Sequence, residues 1–290
     1  MRYLKLFLAL LAVGGFAGCR KSSPTSPTSP TSPTSPTSFM RAYSIFYRFP
    51  YEQGSWHQFS IASVSPNFVP EVKFNGRQIP RENIDKGFGE FRGWDTLPTI
   101  SPNAEVQMEV KYRDLNEKDK NASSKVKIPS EPSASVSITG GNIRVAWGKP
   151  DKNTVSFVYV SIYAYCSDGV RDTSNYKDTV ITDIEKVTEV SMPLGTICAP
   201  ISDPVGVFAL GRVINFYGPW SGSNDNIEGI KGQYYGGAGV GSSATWSSSS
   251  RVAKFERKFN LNREEFFKRM INTIEKHFGV PEEGSWINGF

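Results

Sequence analysis

Two histidines, three cysteines and a scatter of carboxylates carry whatever reactive chemistry this 290-residue chain holds. His57 falls at the start of an expected strand. His277 falls in the last turn of an expected helix, where an imidazolium complements the helix dipole. Neither has a second metal-ligating residue at a useful spacing. The chain has no Gly-x-Ser-x-Gly elbow, no phosphate-binding Gly-Lys-Ser/Thr loop and no His-Glu-x-x-His. The glycines of the stretch from Gly87 to Gly93 do not link a strand to a helix, so they read as turns. Of the acidic pairs, Glu264-Glu265 belongs to a helix start and Glu282-Glu283 to a polar tail. Asp114, Asn116 and Asp119, or Asn224, Asp225, Asn226 and Glu228, offer hard oxygen ligands for calcium, but without the EF-hand spacing they read as polar turns. The expectation is therefore no cofactor, no metal and no enzymatic activity.

Aromatic residues suggest binding instead. Between Gly218 and Ser250 the chain is rich in Gly and Ser yet carries Trp220, Tyr234, Tyr235 and Trp246. Exposed rings among small polar residues suit sugar stacking or protein contact, which makes these four a candidate binding loop. The competing reading packs Trp220 and Trp246 over the end of a domain as a structural connection.

The elements that must position such residues are strands. From Phe39 the pattern is short, alternating and rich in aromatic and β-branched residues, with Pro, Gly and Asn at close intervals, as in an all-β sandwich. Strands are expected at Arg41 to Phe49, His57 to Val64, Glu71 to Phe74, Gly89 to Trp94, Ala104 to Tyr112 and Lys125 to Ile128. Asn75-Gly76, between two alternating runs, is the preferred two-residue hairpin turn because both positions need positive φ. A first sandwich of the Ig-like kind thus spans residues 39–129, and a polar joint from Ser130 to Ser133 leads into a second unit, residues 130–259.

Residues 260–290 break the β pattern. Phe266, Phe267, Met270, Ile271, Ile274 and Phe278 recur at helical spacing, Asn262 with Glu265 forms a capping box, Leu261 with Phe266 a staple, and Gly279 and Pro281 end the helix. Its apolar face is expected to close an edge or face of the second sandwich, with docking onto a partner protein as the alternative.

In the second unit, Ile143 to Pro150, Phe157 to Tyr165 and Arg212 to Ser221 resemble strands B, C and F of a fibronectin type III domain. The resemblance makes Trp147 a core residue of strand B. It also sets the end of strand C beside the loop before strand F, which would bring Cys166 and Cys198 within disulfide range; two unpaired buried thiols are the alternative. The expected fold class is all-β, two tandem Ig-like/fibronectin type III-like β-sandwiches with a C-terminal amphipathic helix.

The N-terminal residues speak of location. Arg2 and Lys5 precede an apolar run from Leu6 to Val13, the pattern of an export signal over residues 1–18 and too short to span a bilayer. The next residues, Phe16-Ala17-Gly18-Cys19, resemble the bacterial lipoprotein lipobox, with Phe16 where Leu is usual. That resemblance implies lipidation of Cys19 and a place in the cell envelope. With Arg20 following, it favours the outer membrane if the cell has one. Residues 19–38 continue as Ser-Pro-Thr repeats with nothing apolar to bury, a disordered tether reaching roughly 50 to 60 Å. Beyond the signal, 33 basic residues less Arg2 and Lys5 leaves 31 against 28 acidic, a net of about +3, which does not point to nucleic acid.

Together these features predict a membrane-anchored envelope lipoprotein acting as a non-catalytic binding or adhesion module. An accessory structural subunit of an envelope assembly and a carbohydrate-binding protein are the alternatives. Its partners would be the membrane, through Cys19, and a protein or polysaccharide of the envelope.

Overall fold

Alternation of apolar and polar residues over most of the chain dictates strands, and a computed structural model forms them. It describes residues 38–49, 56–65, 71–79, 81–83, 90–97, 101–113, 118–218, 232–248 and 263–280. The export signal, Cys19 and the Ser-Pro-Thr stretch up to residue 37 lie outside the described residues. So do Trp220, the two candidate calcium turns apart from Asp119, and the helix-capping residues Leu261 and Asn262.

Eight strands build the first sandwich: β1 (Ser38–Tyr47), β2 (Trp56–Ser65), β3 (Glu71–Phe74), β4 (Arg77–Gln78), β5 (Arg81–Asn83), β6 (Glu90–Leu97), β7 (Glu105–Arg113) and β8 (Asp119–Lys127). Seven build the second: β9 (Ala134–Thr139), β10 (Asn142–Trp147), β11 (Phe157–Ser167), β12 (Asp172–Ile181), β13 (Glu189–Pro193), β14 (Gly206–Tyr217) and β15 (Gly232–Ser247). A single helical turn, α1 (Leu194–Ile197), follows β13, and α2 (Arg263–Phe278) follows β15. Asn75 and Gly76 both take positive φ, 49° and 73°, in the β3–β4 turn, as the Asn-Gly pair requires.

The strands assort into three sheets, ordered β4-β3-β7-β8, β13-β10-β9 and β12-β11-β14-β15-β1-β2-β6-β5. Lettered in chain order, the first unit is an ABED sheet facing C′CFG, and the second an ABE sheet facing C′CFG. These are the strand orders of Ig-like and fibronectin type III-like sandwiches. The third sheet belongs to both units: β1, the first strand of one, pairs in parallel with β15, the last strand of the other, from Ser38↔Gly232 to Tyr47↔Gly241. Contacts make Thr37–Phe290 one compact unit.

One face of this eight-stranded sheet supplies both sandwich cores. Ala42, Phe46, Ala238 and Val240 pack with Val72, Met108 and Val110 of the small first sheet. Val158, Val160, Ala209 and Val213 pack with Ile143, Val145 and Trp147 of the second. The joint between the units is tied to the shared sheet: Asn215 donates to the Ser130 carbonyl at 2.9 Å and the Ser242 hydroxyl donates to the Pro132 carbonyl. The opposite face is covered by α2.

Strand β15 corrects a sequence expectation. Its run Gly236-Gly237-Ala238-Gly239-Val240-Gly241 is part of a 16-residue strand in the middle of the largest sheet, paired on both sides, not part of a loop. Neighbouring rings fill the space its missing side chains leave. A Cβ on Gly239 would meet the Phe216 ring at 2.5 Å, and one on Gly241 would meet Tyr47 at 2.5 Å.

Cys166, at the end of β11, and Cys198, just after α1, form a disulfide with a Cα–Cα distance of 5.5 Å, and both are fully buried. The link spans 32 residues of sequence. Reduction, or the double change of both cysteines to alanine, is expected to lower stability by about 3 to 4 kcal/mol on the chain-entropy account. Thermal melts with and without reductant check this; equal melting temperatures would count against it.

Candidate functional site

The six apolar residues of α2 do not form a docking face, because they are sealed against the protein's own sheet: Phe266, Phe267, Met270, Ile271 and Ile274 are buried and Phe278 partly so. They rest on Tyr43, Ile45, Tyr47, Phe59 and Ile61 of the first unit and on Phe157, Tyr159, Ile214 and Phe216 of the second. The helix therefore covers the junction of the two units and not the second sandwich alone. It ends as expected, with Gly279 at φ 65° and Val280 N–H donating to the Glu275 carbonyl at 3.0 Å.

Polar groups sit within this helix–sheet interface. Glu275 accepts a hydrogen bond from the Tyr43 hydroxyl at 2.9 Å and lies 3.6 Å from Nε of the buried Arg41. Arg269 donates to Asp178 at 3.1 Å and lies over the Tyr176 ring. Burial holds the Tyr47 phenol above its ordinary pKa, opposed by the nearby Arg212 guanidinium. Burial, reinforced by Asp178, holds Tyr159 well above its own. The phenols thus stay protonated and neutral, which suits packing and hydrogen bonding and not proton transfer near neutral pH.

Three residues of the candidate aromatic loop, Tyr234, Tyr235 and Trp246, lie on β15. Trp246 is partly buried against the second core and is a structural residue, not an exposed platform. Tyr234 and Tyr235 lie in β15 opposite Met40 and Arg41, and their side chains lie outside the described residues, as does Trp220. His57 is half-buried beside Phe49, and its burial lowers its pKa. His277 packs edge-on to Phe278 in the last helical turn. Among the described residues, no group of three or more His, Cys, Asp or Glu gathers to hold a metal.

At one end of the second sandwich, the β11–β12 turn is fixed by Asp168. Its carboxylate accepts from the backbone N–H groups of Arg171 at 2.7 Å and Val170 at 2.9 Å, and pairs with the Arg171 side chain. These donors, the Arg171 backbone N–H first, lower its pKa from 3.8 to about 2. A carboxylate whose pKa is depressed by folding stabilises fully above the ordinary value, and that contribution fades as pH falls from about 4 toward 2. An NMR titration of the Asp168 carboxyl is expected to show a midpoint near 2. A midpoint at the ordinary value would mean that the turn is not held this way.

Among the described residues, a groove of about 420 Å³ lies on the outer face of the first sandwich's small sheet. Strict alternation builds it: Val72, Phe74, Val106, Met108, Val110 and Ala122 point to the core, so their neighbours must point outward. Register then sets Glu71, Lys111 and Asn121 in one row across β3, β7 and β8, and Lys73, Glu109 and Ser123 in the next. Gln107 lines the groove one position further along β7.

The charges here do not pair straight across the rows. Lys73 bonds Glu71 on its own strand at 3.2 Å, and Lys111 lies 3.7 Å from Asp119 on β8. Glu109, between the two lysines, is left without an ion pair or hydrogen bond among the described residues. The Gln107 and Asn121 amides and the Ser123 hydroxyl around it likewise have side chains with no partner there. Sequence reading missed this site because an outward row of charged and polar residues is what any solvated sheet face shows; only the off-row pairing of the lysines marks it.

No family model matches the chain, and no curated protein matches it. Among solved structures it is similar to the selenomethionine-substituted chicken interferon gamma receptor alpha chain, at 9% identity and a TM-score of 0.20, covering 53% of this chain and 82% of that one. It is also similar to the FN1–FN3 domains of chicken CNTN1, at 13% identity and a TM-score of 0.20, covering 63% of this chain and 60% of that one.

Proposed function

We propose that this chain is a lipoprotein of the bacterial cell envelope, anchored through an acylated Cys19, that acts by binding and not by catalysis. The observation that carries the binding reading is the groove: an open carboxylate, two amides and a hydroxyl held on a rigid sheet. A rigid sheet presents such groups with little ordering penalty on binding. The anchoring reading rests on Phe16-Ala17-Gly18-Cys19 and on the Ser-Pro-Thr spacer, which would hold the folded part roughly 50 to 60 Å from the bilayer. Several acyl chains give stable attachment where one is marginal. The outer membrane is the favoured site in a cell that has one.

The test is capture from detergent-solubilised envelope with the full-length protein, followed by mass spectrometry of both the bound material and Cys19. The expected result is a lipid-modified N-terminal cysteine together with one enriched envelope component. An unmodified Cys19 on a retained signal would overturn the anchor. Turnover in a glycosidase and esterase screen would overturn the non-catalytic role. A stoichiometric protein partner would make the chain an accessory subunit of an assembly.

A further inference from the structure

We infer that the groove on the β3-β7-β8 face is a binding site for a neutral polyhydroxylated ligand, a stretch of uncharged polysaccharide. This deepens the binding reading above and rests on it.

The lining selects by charge first. The lining holds two glutamates and two lysines, and once each lysine is matched with its own carboxylate the one charge left open among the described residues is that of Glu109, which does not attract an anion. Both lysines also have carboxylates elsewhere, Glu71 and Asp119, and are not poised to receive an anionic group. The side chains left open are Glu109, which only accepts, Gln107 and Asn121, which donate and accept, and Ser123, which does both through one oxygen. A ligand that satisfies this set must offer many groups able to donate and accept at close intervals. Sugar hydroxyls do so: a carboxylate accepts from a pair of neighbouring hydroxyls, while amides and a hydroxyl serve the next ones along.

Spacing points the same way. Side chains in adjacent strands stand about 4.8 Å apart, and alternate residues along a strand roughly 6.7 Å apart. Hydroxyls on neighbouring sugar rings recur on that scale. The volume of about 420 Å³ falls within the usual range for a small-molecule site. The groove runs over an open sheet face, which lets a long chain pass through where an enclosed cavity would admit only its end.

Isothermal titration of the full-length protein with neutral hexaoses (cellohexaose, chitohexaose and mannohexaose) tests the site. At least one is expected to bind. Glu109→Gln and Asn121→Ala should each weaken it by about tenfold or more without moving the melting temperature, since both residues face outward. Lys73→Ala should change affinity by less than about threefold. Absence of binding by all three hexaoses overturns the site, as does undiminished affinity in both Glu109→Gln and Asn121→Ala. A larger loss in Lys73→Ala than in Glu109→Gln also overturns it, because the groove would then be serving an anion. Silent titrations beside a stoichiometric protein captured from the envelope would sink the sugar assignment and leave the binding reading standing.

Discussion

Phe267→Ala is expected to destabilise the protein by about 3 to 5 kcal/mol, as truncation of a fully packed aromatic residue does, and so to lower the melting temperature by roughly 10 °C. Phe267 is 1% exposed and stacks on Phe59 at 4.7 Å and 16°. It also meets the edges of Tyr47 and Phe49 at 6.3 and 6.4 Å. Each partner belongs to the first unit, although Phe267 lies more than 200 residues further along the chain. Its removal leaves a void lined by rings too rigid to collapse into it. Phe267→Asp should be worse, since it sets an unpaired charge into the same space. Denaturant titration measures both; a loss below about 1 kcal/mol in Phe267→Ala would mean that α2 does not dock on the sheet as described.

The second large effect lies at the other end of the helix. Arg41 on β1 and Glu275 on α2 are a buried pair, with side chains 1% and 10% exposed. Arg41→Met or Glu275→Met alone should destabilise by about 3 to 5 kcal/mol, because each breaks a buried ion pair by removing one member of it. The double variant should lose much less than the sum, since it removes both charges and leaves apolar groups of similar size. Denaturation of the three variants and the parent closes the cycle. Additive losses would show that the two side chains do not sense each other.

Local signals were legible in the sequence, and non-local pairings were not. The helix could be read from the spacing of its apolar residues and from Gly279, and the hairpin from Asn75-Gly76, because in each case the residues that define the element lie within it. The two sandwiches were legible from alternation, and Trp147 took its expected place in the core. What alternation cannot show is which strand lies beside which. The β1–β15 ladder joins segments nearly 200 residues apart and leaves no mark in either. Strand β15 was hidden for a related reason. Its glycines look like loop residues until Phe216 and Tyr47, from the flanking strands, are seen to occupy the space above them. The groove was hidden because Glu109 differs from any other outward carboxylate only in where its lysine neighbours turn.

The β1–β15 ladder also sets an order of events. A chain delivered from its N-terminus presents β1 first, but the strand that must cover its edge arrives nearly 200 residues later. Until then β1 and β14 each carry a long row of unpaired amide and carbonyl groups, open to pairing with another chain. Closing a loop of that length is slow, and the wait exposes the aromatic face that α2 will later cover. The protein is therefore most vulnerable to aggregation in the interval between the emergence of β1 and that of β15, and a holding chaperone would be most useful then.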